Sequence, residues 1–274
     1  MIRGSFHNHT IHSDGRLTPE QLLLKYKQKK FTHLSVTDHD NAGAYGELKV
    51  LAPELGINLI TGLEFSTQFR SFPECHIIGL NIDTASPDLR AYEHEILSGR
   101  KTRAESIVKK MHELGVHPDL DTLGELYTNP SIGRPHIAAI LIKHGLVRTV
   151  QDGFRQYLSP GKPLYIRKHQ WSSERVIALI HSLGGKAILA HPTDHFSPDD
   201  VNELVETGLD GIEVIHPMNK LKYAKIWRDY AQKNRLIISG GADFHGIEKS
   251  EDRAIGRYYL EGQDLRNLLN ALEN

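Results

Sequence analysis

The chain has 274 residues, 39% apolar and 24% charged, with 33 lysines and arginines against 34 aspartates and glutamates. That composition suits one large domain, or a barrel with an insertion, better than two equal domains. No run approaches the roughly 20 consecutive apolar residues of a membrane helix, and a net charge of -1 gives no global field to draw in nucleic acid.

The opening stretch MIRGSFHNHT is polar throughout, so no secretory leader is expected. The single cysteine, Cys75, allows no internal disulfide and suits a reducing cytoplasm, the expected location. The one compositional excess is 17 histidines, which points to metal or acid–base chemistry without saying which.

In chain order, SFHNH closes a short first strand. TPEQLLLKYKQ then opens a helix: Thr18 caps it, Pro19 suits its first position and Gln21 completes a capping box. HLSVTD (33–38) is a β-rich run, GELKVLAPELG is helical, and NLITGLEF (58–65) and HIIGLNI (76–82) are strands. This alternation predicts βαβ units on a parallel sheet. From 86 to 165 the strand signal lapses into helix, over a charged stretch from Pro87 to Leu114 and shorter segments near 121–128, 135–145 and 149–157. The rhythm returns with a helix in WSSERVIALIHSLGG and strands in KAILAH (186–191), DGIEVIH (210–216), LIISGGADFH (236–245) and AIGRYYL (254–260). Residues 1–85 and 166–274 are therefore expected to form one α/β barrel, interrupted by a helical insertion over 86–165.

Candidate ligands recur at the strand ends. His7 and His9 share one face of an extended chain, with Asp14 in the next loop. His39 follows the second strand, Glu64 ends the third, His191 ends KAILAH, and Asp243 with His245 end ISGGADFH. In a parallel barrel the loops after the strand C-termini meet at one mouth, so these side chains should converge. His76 starts its strand instead, and position alone makes it a core or cap histidine. His33, His94, His112, His117, His144, His169 and His216 have no motif company and read as surface residues or as residues standing behind the ligands. The basic residues of the long helix, Arg90, Arg100, Lys101, Arg103, Lys109 and Lys110, read as its wet face.

The ordered motifs HNH…SDG, TDHD, LEF, HIIGL, AHP and DFH resemble the PHP (polymerase and histidinol phosphatase) family of phosphoesterases. The resemblance implies a distorted (β/α)7 barrel of TIM type holding three divalent metals, with manganese expected and iron or zinc as alternatives. Carried over by position, the first metal would take His7, His9, Glu64 and Asp243. The second would share Glu64 and add His76 and His191, overruling the positional reading of His76. The third would take Asp14, His39 and His245. Glu64, His9 and Asp243, together with Asp38, would be the catalytic residues. Asp38 and Asp40, beside His39, are candidates to orient its imidazole.

Within the family, SDGRLTPEQL, HIIGLNID, GRPHIA, YLSPGKPLY and IHSLGGKAILAHP are similar to the branch of 5′→3′ exoribonucleases and nucleoside 3′,5′-bisphosphate phosphatases. There, residues matching Arg134, His136 and Lys162 lie near substrate. The implied activity is hydrolysis of the 3′-side ester of a 5′-phosphorylated nucleotide, with a nucleoside bisphosphate or an RNA 5′ end as substrate. No membrane and no obligate protein partner is implied. The rival readings are a phosphatase of another small phosphomonoester such as histidinol phosphate, a non-catalytic PHP domain, and a metal-dependent amide hydrolase. The last usually bridges its metals with a modified lysine at a strand end, where this chain has Glu64.

Overall fold

A computed structural model describes residues 2–70, 72–247 and 251–273. Strands β1 (Arg3–Ser5), β2 (His33–Val36) and β3 (Asn58–Phe69) run parallel, with helices α1 (Pro19–Gln28) and α2 (Tyr45–Glu54) as crossovers. The signals around 18–21 act as expected: Thr18 accepts the Gln21 N–H at 3.2 Å and the Gln21 side chain accepts the Thr18 N–H at 3.0 Å. Strand β4 (Phe72–Leu80) then departs from the expected parallel order. It folds straight back on β3, antiparallel both to it and to β6 (Lys186–Leu189).

Next comes the long helix α3 (Pro87–Glu113), then α4 (Leu120–Thr128), α5 (Arg134–Lys143) and α6 (Val150–Gly153), which runs on into a wide helical turn over 154–158. Short β5 (Trp171–Ser172) pairs with β3, and α7 (Ser173–Ser182) leads into β6. Parallel β7 (Gly211–Ile215) and β8 (Ile237–Gly240) follow, with α8 (Pro198–Glu206) and α9 (Leu221–Asn234) between the strands. After α10 (Glu251–Ala254), β9 (Leu260–Glu261) pairs antiparallel with β1, and α11 (Gly262–Glu273) ends the described chain. The expected strand over 254–260 is thus a helix end and a turn, and only Leu260 joins the sheet.

The barrel path is β8-β7-β6-β4-β3-β2-β1. It nearly closes on itself, because the Phe6 N–H donates to the Gly240 carbonyl at 3.0 Å and Asn8 bridges Phe244 in parallel. The core is filled from every strand, with Phe6, Leu34, Leu63, Phe65, Ile77, Leu189 and Ile212 all fully buried. A second buried cluster runs from Ala104 on α3 through Ile137 and Leu141 to Leu164, while Leu89, Tyr92 and Ile96 of the same helix pack on the barrel core. Helix α3 therefore joins the two cores. Arg100 and Arg103, expected on its wet face, are only 6% and 7% exposed. Among the described residues no helix is long and apolar enough to cross a membrane.

Candidate metal centre

The opening motif leaves β1 in extended backbone and is clamped from both sides. Asn8 donates its side-chain N–H to the Ser35 carbonyl at 2.8 Å, and the His9 N–H donates to Phe244 at 2.9 Å. This fixes Asn8 against the sheet and turns His7 and His9 together into the barrel mouth, both fully buried. Close approach here demands glycine: a Cβ on Gly241 would stand 2.5 Å from the His7 nitrogen. His191 and Asp243 have positive φ values of 27° and 48°. Non-glycine residues seldom adopt that region, and they cluster where the fold aims a side chain at a site.

Glu64 is the centre. Its Oε2 lies 3.1 Å from His7 Nε2, 3.2 Å from His9 Nε2 and 3.2 Å from His39 Nδ1. Its Oε1 lies 2.8 Å from His76 Nδ1 and 3.2 Å from His191 Nε2. On one flank, Asp243 Oδ1 stands 3.3 Å from His7 Nε2 and 3.1 Å from His9 Nε2. On the other, Asp14 faces His245 Nε2 at 3.3 Å and His39 Nε2 at 3.9 Å. All nine residues expected at the mouth converge there. The direction of β4 explains His76: it stands just before residues 77–80, the stretch paired with β6, and on an antiparallel strand that is the same barrel end as the C-termini of the parallel neighbours.

The hydrogen bonds behind the cluster settle which imidazole nitrogen faces inward. His7 Nδ1 is 3.0 and 3.1 Å from the two oxygens of Glu213, which also accepts the His191 backbone N–H at 3.0 Å. Buried Glu213 thereby holds the proton on Nδ1, so that Nε2 is the nitrogen a cation in the site would meet. Ser13 does the same for His9. Its hydroxyl donates to Asp38 at 2.6 Å, so its oxygen accepts from His9 Nδ1 at 3.3 Å. His245 Nδ1 donates to the Asp243 carbonyl at 2.9 Å.

The expectation for Asp38 and Asp40 is corrected here. Asp38 takes the Thr10 N–H at 2.7 Å and the Thr10 and Ser13 hydroxyls at 2.6 Å, and so serves His9 through Ser13. Asp40 is bound by Arg100, the Tyr92 hydroxyl and the Ser66 N–H. Neither carboxylate makes a hydrogen bond to the His39 ring.

Of the two places the sequence left open for His216, the structure takes the one behind the ligands: it is 1% exposed, with Nε2 3.2 Å from Asp243 Oδ2. Its Nδ1 accepts the Met218 N–H at 3.0 Å. A neutral imidazole that accepts at one nitrogen carries its proton on the other. Nε2 of His216 therefore offers a proton and not a lone pair, and although Glu213, His7 and His216 stand close enough to suggest one, they do not form a further metal site. Glu213 is what sequence reading missed. Its signal was present in DGIEVIH: a carboxylate inside an otherwise apolar strand run has to be paired with something.

Burial alone would raise the carboxyls of Glu64 and Asp243. The surrounding imidazoles, led by His39 for Glu64 and His7 for Asp243, hold both well below the usual range. Burial alone would likewise depress His7, yet Glu213, Glu64 and Asp243 keep it well above its ordinary value. His7 Nε2, His9 Nε2, His39 Nδ1, both nitrogens of His76 and Asp14 Oδ1 are buried without a well-aligned protein hydrogen-bond partner. Buried polar atoms are rarely orphaned in this way. Donors about 3 Å apart and aimed at common points are what cations at about 2.1 Å from each ligand require. The residues fit divalent metals, and their mixed nitrogen and oxygen set fits manganese, iron or zinc better than magnesium.

A cavity of about 390 Å³ opens off the cluster past His76 and His191, lined by Arg134, Phe154, Tyr165 and Phe196. The Arg134 guanidinium lies 4.7 Å from the centre of the Phe154 ring. His136 faces a different cavity, with Asp14 and Arg16, and its Nδ1 accepts the Gly133 N–H at 2.9 Å to cap its own helix. Lys162 is exposed, although its turn neighbours Ser159 and Pro160 line the first cavity.

The PHP domain profile matches residues 5–185. The chain belongs to the PHP family. It is 34% identical to a 3′,5′-nucleoside bisphosphate phosphatase of Chromobacterium violaceum, over 89% of this chain and 88% of that one. It is 32% identical to the 5′-3′ exoribonuclease Rnm of Escherichia coli, over 87% and 84%. Among solved structures, one from Chromobacterium violaceum described as an amidohydrolase with bound sulfate matches at a TM-score of 0.87 and 30% identity, over 98% of this chain and 95% of that one. A metal-dependent phosphoesterase structure from Bifidobacterium adolescentis matches at 0.87 and 25%, over 97% and 95%.

Proposed function

We propose that this PHP protein is a metal-dependent phosphoesterase that hydrolyses the 3′-side ester of a 5′-phosphorylated nucleotide. A free nucleoside 3′,5′-bisphosphate would lose its 3′-phosphate, and an RNA 5′ end would lose one nucleotide at a time. The observation that carries the reading is the placement of Glu64, whose two oxygens face two different sets of imidazoles. A carboxylate so placed would serve as a ligand shared between two cations, were they bound. Three divalent ions, with manganese as the expected species, would be held by His7, His9, Glu64 and Asp243, by Glu64, His76 and His191, and by Asp14, His39 and His245.

Ions bound there would supply a water of lowered pKa and a clamp on the phosphoryl oxygens. The chain's own residues do the rest. Glu213, and Ser13 with Asp38, hold His7 and His9 in the ligand tautomer. Arg134 offers a planar fork for a terminal 5′-phosphate, with the centre of the Phe154 ring 4.7 Å from its guanidinium. Lys162, on an exposed turn beside the cavity, would add a point charge. His136 would position α5, which carries Arg134, by capping it. The insertion over 86–165 supplies Arg134, Phe154 and Tyr165 to the cavity and would act as its lid. The lone, buried Cys75 is consistent with the cytoplasm, where we place the protein.

The test is a side-by-side kinetic comparison, with manganese, of adenosine 3′,5′-bisphosphate and short RNAs bearing 5′-phosphate or 5′-hydroxyl. Hydrolysis of the phosphorylated substrates, with the 5′-phosphate preference lost in Arg134→Ala, is expected. No hydrolysis, or a preference untouched by Arg134→Ala, would overturn the reading.

A further inference from the structure

The cluster also borders a groove that the proposed chemistry does not use. Asp243 and His216 form one wall of a cavity of about 620 Å³ that runs past Arg253, Arg257 and Tyr258. A cavity of about 1020 Å³ shares His216, Pro217, Arg257 and Tyr258 with it and continues along Lys220 and Lys222 to Arg228 at the start and middle of α9. The two form one continuous depression. Met218 lines both the first of these cavities and the one holding Arg134, so it separates the groove from the pocket assigned to the 5′-terminal nucleotide.

The charge of this groove departs from that of the molecule. Lys220, Lys222, Arg253 and Arg257 are all exposed. Arg228 and Lys225 are neutralised by Asp264 and Asp229, at 2.7 and 2.6 Å. No such carboxylate partner stands within ion-pair distance of the other four among the described residues. The acid on the wall, Glu251, is turned away: its oxygens accept the backbone N–H groups of His245, Gly246 and Ile247 at 2.7–3.1 Å. A chain of net charge -1 thus gathers four uncompensated cations along a groove that ends at Asp243. Half-buried Tyr258 and Met218, 54% exposed, add apolar surface between them. Cations spaced along a groove with an aromatic face among them are what a single-stranded polyanion with stacking bases requires.

We propose that this groove holds the RNA chain on the 3′ side of the scissile ester. The inference rests on the phosphoesterase reading and deepens it. With the 5′-terminal nucleotide in the Arg134 cavity and its ester at Glu64, the remaining chain leaves past Asp243 and His216, where the four cations meet successive phosphates. A mononucleotide bisphosphate ends at the cluster and touches none of them. The groove therefore sets a preference for oligonucleotides over free bisphosphates.

The experiment compares the wild type with Arg253→Gln/Arg257→Gln and, separately, Lys220→Gln/Lys222→Gln on a 5′-phosphorylated ten-nucleotide RNA and on adenosine 3′,5′-bisphosphate. The ratio of kcat/KM for RNA to that for the bisphosphate should fall about tenfold in each variant, and the salt slope of RNA binding should drop by about 0.7 for each phosphate contact removed. An unchanged ratio in both variants, or equal loss on both substrates, overturns the groove. A wild type that cleaves the bisphosphate but not the RNA also overturns it. If the wild type cleaves neither, the phosphoesterase reading fails, and fluorescence anisotropy with the same RNA still decides. Tighter, more salt-sensitive binding by the wild type than by the variants supports the groove, and equal binding refutes it.

Discussion

Replacing Arg100 by methionine tests how the long helix is tied to the site. Arg100 donates through Nε to Asp40 at 3.1 Å and through Nη2 to the same carboxylate, to Ser66 Oγ at 2.9 Å and, through Nη1, to the Ile132 carbonyl at 3.3 Å. The two side chains are 5% and 0% exposed. Burial alone would raise the Asp40 carboxyl, but Arg100, with Lys168, holds it down to about 2. Removing the Arg100 cation leaves a buried carboxylate with the Tyr92 hydroxyl, the Ser66 N–H and the charge of Lys168, at a cost of about 3–5 kcal/mol. For a chain of this size that lowers Tm by roughly 10 °C. Because the Asp40 pKa is depressed, the contribution is complete above about pH 4 and fades as pH falls towards 2. Arg100→Met/Asp40→Asn removes both charges, and it should be more stable than Arg100→Met by about 2 kcal/mol. Calorimetry and urea melts of the four proteins complete the cycle. A single-variant cost under about 1 kcal/mol, or strictly additive losses, would refute the reasoning.

Other consequences are as direct. Glu213→Gln should weaken metal binding about 10–100-fold by releasing the His7 tautomer, with activity restored by excess manganese; chelator competition measures the affinity, and an unchanged value would contradict the assignment. Gly241→Ala drives a Cβ into the His7 backbone and should cost several kcal/mol and lower metal content, whereas Gly46→Ala in α2, where a Cβ meets nothing within 4 Å, should stabilise by about 0.5–1 kcal/mol. Against the pull of burial, Asp14 and Asp243 push the His245 imidazole up to about 10. A raised pKa contributes stability below the unfolded value near 6.5 that is lost as pH rises through the folded one. Chelator-treated protein should therefore lose thermal stability between about pH 6.5 and 10, and saturating metal should flatten the curve.

The alternation of apolar runs and capped helices made the α/β barrel legible, and the strand-end rule brought His7, His9, Asp14, His39, His191, Asp243 and His245 to one mouth; Glu64 reaches it from mid-strand, because β3 runs on past the expected end to Phe69 in its pairing with β4. The rule failed at His76 because it assumes parallel strands, and β4 reverses direction in a tight return from β3. No composition signal distinguishes such a strand from a parallel one. Arg100 and Arg103 were misread because charge on a long helix predicts solvent, and only the position of Asp40 shows that Arg100 has a buried partner. The sequence left His216 between the surface and a place behind the ligands, because the choice depends on the Met218 N–H and on Asp243, which folding brings to it from another strand. Glu213 could have been found, since an acidic residue within an apolar strand calls for an explanation.

The most direct test of the central claim is elemental metal analysis of the wild type and Glu64→Gln after manganese saturation and removal of free ion. The account predicts three ions per wild-type chain and loss of at least one in Glu64→Gln, together with loss of hydrolysis. Fewer than two ions per wild-type chain, or an equal metal content in the two proteins, would contradict it.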